Sequence, residues 1–181
     1  MSYAISAGFP NMLKYVLLGA LSYQPATGYQ LKLFVDKSAR HFWYAQTSQI
    51  YRTLEALQKE GLIESSREAQ DDQAERRIYH LTPAGRADLL AWLKQPMTEL
   101  EPAKDSLLIR LFFSALLDKE TVLTQLRLQR ALHEQQLLVF QQDIPAQIRA
   151  GLEQRPQQKR DALFWDAARR LGELGEETYI R

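Results

Sequence analysis

Apolar residues recur at helical spacing along most of this chain, and two stretches interrupt the pattern. Leu13, Val16, Leu17, Ala20 and Leu21 fall on one face of a first helix. "YQPATG" ends it, and Thr27 stands as an N-cap for a second helix through "GYQLKLFVDKSA". Ile50, Leu54 and Leu57 share one side of a third, "QIYRTLEALQKE", with Thr47 or Ser48 as its cap and Gly61 as its C′ residue. The period then shortens: "LIESSRE" and "RRIYHL" have strand character and are joined by polar "AQDDQAE", which predicts a hairpin. Thr82 caps the next helix with Pro83 at N1, and Leu89, Leu90, Trp92 and Leu93 give it a buried side. "KQPMTELEPAK", Lys94 to Lys104, carries Pro96 and Pro102 and reads as a linker. Beyond it "KDSLLIRLFFSALLD" predicts a largely buried helix. A long helix from Lys119 follows, which Pro145 kinks or restarts. A last helix from about Gln157 carries Leu163, Phe164, Ala167, Ala168, Leu171 and Leu174.

These elements predict a mainly α protein with a small β-hairpin, in two domains. Residues 1–95 have the element order of a winged helix-turn-helix, 96–103 form the linker, and 104–181 form an antiparallel helical domain. In a winged helix the third helix reads DNA and the hairpin flanks it. At about 100° per residue, Ser48, Arg52, Glu55 and Lys59 point away from the Ile50 stripe, with Gln49 and Tyr51 on the flanks. Every surface helix has a polar face, yet amides and arginine can bond base edges and hydroxyls can reach phosphates. Thr47, Ser48, Gln49, Tyr51, Arg52 and Lys59 are therefore the candidate contacts to double-stranded DNA, with Arg76 and Arg77 at the start of the second strand. Glu55, Asp71, Asp72 and Glu75 oppose a phosphate surface, so the wing tip is expected to stay off the DNA.

In the second domain Leu123, Leu126, Leu137, Phe140 and Ile144 follow an a/d spacing, interrupted by Arg130 and His133. Leu128, Leu132 and Val139 form a second apolar row. A helix with two apolar stripes must bury both, one inside the chain and one against a partner. The first row is the expected dimerisation surface, with Arg130 and His133 setting register. A two-fold protein also matches a two-fold operator.

Composition narrows the chemistry. The net charge is +1, so any basic surface must be local. With no cysteine, the chain has no disulfide, thiolate metal site or cysteine nucleophile. His41, His80 and His133 lack a second ligand at i+3 or i+4, so no metal is expected, and no cofactor or enzyme motif is found. The apolar runs are too short or too interrupted to span a bilayer, and the N-terminal stretch lacks a secretory signal, which predicts a cytoplasmic, soluble protein. Tyr15, Trp43, Trp92, Phe112, Phe113 and Trp165 could wall an aromatic effector site or simply belong to the core; no residue is assigned to an effector.

"ATGYQL" at 26–31, "HFW" at 41–43, "QIYRTLEALQKEGLI" at 49–63, "RRIYHLTPAGRADLLAWL" at 76–93 and "DSLLIRLFF" at 105–113 together resemble the PadR family of bacterial transcriptional regulators, and especially its AphA-like virulence-activator branch. The resemblance covers roughly the whole chain and is more specific in its first half. It implies a winged-helix DNA reader fused to a helical dimerisation domain, with Gln49, Tyr51 and Arg52 facing DNA and Arg76 and Arg77 at the wing. It also implies regulation by a small aromatic effector in part of the family. The wing turn departs from the pattern in having no glycine or proline, and Arg52 stands where much of the family has proline. The expected function is a homodimeric regulator on a palindromic promoter site. A winged-helix adaptor that docks a protein instead of DNA is the alternative, because fold does not fix function.

Overall fold

A computed structural model of the chain describes residues 12–36, 45–70, 73–99 and 105–181; the side chains of 68–75 lie outside that description. The chain divides into two compact units, Met1–Leu100 and Glu101–Arg181.

The first unit runs α1 (Met12–Tyr23), β1 (Ala26–Thr27), α2 (Gly28–Phe34), α3 (Thr47–Lys59), β2 (Ile63–Gln70), β3 (Gln73–Leu81) and α4 (Pro83–Lys94). Thr27 caps α2 as its sequence predicts. Its hydroxyl accepts from Gln30 N at 3.2 Å and Gln30 Oε1 accepts from Thr27 N at 2.8 Å. The cap of α3 differs from expectation. Gln46 is the N-cap, Thr47 already belongs to the helix, and Gln49 Oε1 accepts from Gln46 N at 2.9 Å. The N3 N–H, which a cap hydroxyl would otherwise accept, donates to the Gln46 carbonyl at 2.9 Å, so no hydroxyl is needed at the cap. Gly61 follows α3 with φ of 72°, the left-handed conformation that glycine adopts without a Cβ penalty.

The sheet is antiparallel in the order β1-β3-β2. The hairpin is longer than its sequence suggests, because the ladder continues into the polar stretch as far as Gln70↔Gln73, with an irregularity between Glu68 and Gln70. Ladder bonds use backbone groups alone, so polar side chains do not end them. The two-residue β1 escaped the sequence reading because it is too short to show a period; it pairs Ala26 with Tyr79 and Thr27 with Ile78.

Leu17, Leu18, Leu31, Ile50, Leu54, Leu57 and Ile63 form the centre of the core, with Tyr79 and Leu89 closing it. On α4 the buried side is narrower than expected. Leu89 is buried and Trp92 stacks on Tyr15 with centroids 4.3 Å apart, while Leu90 and Leu93 are exposed. The turn into α4 is tight. Thr82 Oγ1 accepts from Gly85 N at 3.0 Å, and a Cβ on Gly85 would lie 2.0 Å from the Leu62 carbonyl oxygen.

The second unit contains α5 (Ser106–Phe112), α6 (Lys119–Leu138), α7 (Ile144–Gln154) and α8 (Lys159–Ile180). One π-helical turn, Val139–Asp143, separates α6 from α7, and Pro145 lies in the first turn of α7 as expected of a restart. α6 and α8 run antiparallel, as the pairing of His133 with Glu176 and of Gln141 with Glu173 shows. The expectation of a buried helix after the linker is overturned: α5 has no buried residue, and Phe112 is 82% exposed.

Candidate nucleic-acid interface

The packing of α3 decides which of its side chains can meet a ligand. Ile50, Thr53, Leu54 and Leu57 are buried, which turns Thr47, Ser48, Gln49, Tyr51, Arg52, Glu55, Ala56 and Lys59 outward. All six α3 residues singled out from the sequence therefore share the exposed side. The first turn contains no acidic residue, so its unpaired amide groups and the positive end of the helix dipole are not offset by a carboxylate.

Local bonds then restrict what each side chain offers. The Gln49 carbonyl oxygen is used by the Gln46 backbone, which leaves the amide NH2 as a donor toward acceptors such as guanine O6 and N7. Arg52 Nε donates to the Ser48 carbonyl at 3.3 Å, so the terminal nitrogens of the guanidinium project from the first turns of the helix. The ring of Tyr51 lies over Gly28, where an added Cβ would stand 2.6 Å from Tyr51 Cε1. Gly28, unremarked in the sequence, thus seats one of the candidate contacts, and the "ATGYQL" motif was the signal for it.

Strand alternation separates the two wing arginines. Arg77 shares a face with Tyr79 and points toward α3, Arg76 points to the opposite face, and both are exposed. Arg77 Nε donates to Ser65 Oγ at 2.9 Å, a terminal nitrogen donates to Gln58 Oε1 at 2.6 Å, and the guanidinium lies 5.4 Å from the Tyr79 ring centroid. His80 is structural in this setting, its Nε2 paired with Ser66 Oγ at 2.9 Å. Asp71, Asp72, His41, Phe42 and Trp43 lie outside the described residues, as does the Glu75 side chain.

The second unit redistributes its two apolar rows. Phe140, expected on the dimerisation surface, is 2% exposed and packs on Gly172, where a Cβ would lie 2.4 Å from its ring. It cannot face a partner, because its own chain covers it. Leu123, Leu126, Leu137 and Ile144 are half-buried, as is Val139 of the second row, whereas Leu128 and Leu132 of that row are exposed, as are Leu138 and, on α8, Leu163, Phe164, Leu171 and Leu174. His133 does not stand free either. Its Nδ1 pairs with Glu176 Oε2 at 2.5 Å and its ring stacks on Tyr179, whose hydroxyl donates to Asp105. That bond from Tyr179, together with the Leu107 and Leu108 amides, holds the Asp105 carboxyl below its usual range. Arg130 pairs with Glu134 four residues on. Arg169, 9% exposed, bonds Asp166, Glu173 and the Phe140 carbonyl.

Among the described residues no group of histidine, aspartate and glutamate side chains could hold a metal ion, and no helix is long and apolar enough to cross a membrane.

Residues 17–91 match the "Transcriptional regulator PadR-like family", and residues 103–181 match "Virulence activator alpha C-term". Rv1176c of Mycobacterium tuberculosis, named a probable transcriptional regulator, is 30% identical over 96 residues, 53% of this chain. The negative transcriptional regulator PadR of Bacillus subtilis is 31% identical over 110 residues, 61% of this chain. The matched stretches span 51% and 60% of those relatives' own lengths. The B. subtilis PadR structure in complex with operator DNA superposes with a TM-score of 0.80 at 24% identity, covering 95% of this chain and 93% of that one. Its complex with p-coumaric acid gives 0.60 at 22% identity, covering 94% and 93%. The Vibrio cholerae virulence activator AphA gives 0.66 at 24%, covering 93% and 91%. At those identities the likeness establishes a shared winged-helix and helical fold. Both halves are matched in order, so the chain carries a PadR-like domain followed by a C-terminal domain of the virulence-activator type.

Proposed function

We propose that this protein is a sequence-specific DNA-binding regulator that acts as a homodimer on a palindromic promoter site. The observation that carries this reading is the exposed N-terminal half of α3, where Ser48, Gln49, Tyr51 and Arg52 surround a helix start without an acidic residue. Thr47 and Lys59 extend that surface, and Arg76 adds a phosphate contact from the wing. The superposition on a relative bound to operator DNA supports the same placement. The second unit supplies the dimer, through the exposed rows of α6 and α8 rather than through Phe140. Activity on a promoter places the protein in the cytoplasm and requires no catalytic group. The effector class we infer is a small aromatic molecule, in line with the relative that holds p-coumaric acid.

The test is selection of short random duplexes by the purified full chain at two salt concentrations. Enrichment of an inverted repeat, bound less tightly as salt rises, is the expected result. Absence of any enriched sequence, with protein partners captured in its place, would favour an adaptor. Arg52→Ala should weaken binding to the selected site by about 1–3 kcal/mol if its guanidinium reads a base edge. An unchanged affinity would remove Arg52 from the interface.

A further inference from the structure

We propose that Arg77 is a positioning residue, a strut that fixes the wing against the last turn of α3, and not a phosphate ligand. This rests on the DNA-reading function proposed above and revises the pairing of Arg76 with Arg77 that the sequence invites.

Location is the first argument. β1 pairs with β3 at Ile78 and Tyr79 only. Arg77 is the next residue outward, where the three-stranded sheet gives way to a two-stranded hairpin paired from Arg67↔Arg77 to Gln70↔Gln73. A two-stranded ribbon has a larger and less constrained twist than a wider sheet. Its direction relative to α3 must therefore be set at its root, and Arg77 stands at that root.

The second argument is the bonding. Arg77 directs its planar fork inward, with Nε on Ser65 Oγ of the neighbouring strand and a terminal nitrogen on Gln58 Oε1 of α3. One guanidinium so joins both strands of the hairpin to the reading helix, over the face of Tyr79. Bonds from a charged donor are short and directional, and the rigid fork holds two acceptors in fixed relation. Arg67 lies directly opposite Arg77 on the same face. Two like charges thus face each other in the ladder, and the Ser65 and Gln58 acceptors fix the direction of the Arg77 fork.

Distance is the third. Gln58 is ten residues beyond Ser48 on α3, or about 15 Å along the axis from the end that carries the candidate base contacts. Arg77 is anchored at that far end, where Lys59 alone of the proposed α3 contacts lies. Arg76 has the opposite orientation, although both side chains are exposed.

The experiment uses the full-length protein and the duplex obtained by selection, with affinity measured across a salt series for Arg76→Gln, Arg77→Gln, Arg77→Lys, Gln58→Ala and the Arg77→Gln/Gln58→Ala double variant. Arg76→Gln should reduce the log–log salt slope by about one, the signature of one lost phosphate contact. Arg77→Gln should lower affinity at unchanged salt slope. Arg77→Lys should not restore it, because lysine keeps the charge but not the fork. The double variant should bind no worse than Arg77→Gln alone. A slope reduced by about one in Arg77→Gln and restored in Arg77→Lys, with additive losses in the double variant, would overturn the proposal.

A thermal-unfolding cycle over the same Arg77 and Gln58 variants without DNA reads the strut independently. Coupling between the two substitutions is expected there, and additivity would also overturn it. A wild-type protein that enriches no duplex would instead remove the DNA reading, and the positioning role with it, while the coupling in the free protein still reports whether the strut exists.

Discussion

In the first unit Leu17, Leu18, Ile50 and Leu54 have no solvent exposure at all, whereas among the described long apolar side chains of the second unit only Phe140 is comparably covered. Yet the second unit is not poor in apolar residues: Leu128, Leu132, Leu163, Leu171 and Phe112 are each more than half exposed. The first unit uses its apolar residues to close its own core, and its exposed side of α3 is polar. The second leaves whole rows uncovered, far beyond the scattered surface leucines that any protein tolerates. One unit closes an apolar core and presents a polar face, and the other leaves apolar rows open to solvent.

The polar groups follow the same division. In the first unit Lys14 ties α1 to Glu60 and Asp88, at 3.2 and 3.1 Å, bracing three helices around an apolar core. In the second the ionic groups themselves occupy the helix contact. Arg169 bridges α8 to the Phe140 carbonyl in the π-helical turn.

Four changes would break or sharpen this comparison. Leu54→Ala empties a fully buried site and should destabilise the first unit by about 2–5 kcal/mol in denaturant unfolding; a loss well under that would mean the core is not closed as described. Gly172→Ala places a methyl against the buried Phe140 ring and should cost the second unit about 1–3 kcal/mol, the range for overpacking. A neutral result would show that α6 and α8 can separate freely.

Acidification should act on the second unit first. Hydrogen bonds from Arg169 hold the Asp166 and Glu173 carboxyls below their ordinary values, Gln141 adding to the effect at Glu173. A depressed carboxylate stabilises the fold above its unfolded value and loses that contribution as pH falls through the folded one. Lys14 behaves oppositely. Burial disfavours its charge, but the bonds to Asp88 and Glu60 outweigh this and raise its value, so its contribution fades only as pH rises through that raised value. Circular dichroism from neutral to strongly acid pH should show α-helix lost from the second unit before the first; simultaneous loss would count against this division. The smallest effect on folding should come from Leu128→Gln with Leu132→Gln, about 0.5 kcal/mol or less because both are exposed. The same pair should shift sedimentation toward monomer, and an unchanged dimer would place the interface elsewhere.

Much of the fold was legible because it rests on local chemistry. Thr27 and Thr82 as caps, Gly61 past the end of α3, Pro145 at a helix restart and the Ile50, Leu54, Leu57 stripe all follow from backbone geometry and periodicity. The outward set on α3 follows from that stripe by subtraction. What could not be read concerned which of two equivalent choices the rest of the chain would select. Periodicity found two apolar rows on α6, but only the approach of α8 at Gly172 determined that Phe140 turns inward and Leu132 stays out. Adjacent arginines looked alike in the sequence; pairing register put Arg76 and Arg77 on opposite faces. The sequence by itself determined the helices, most of their caps and the polar face of α3, because those depend on contacts within a few residues. The tertiary structure alone decided which side chains are covered, because burial depends on surfaces supplied by residues distant in the chain.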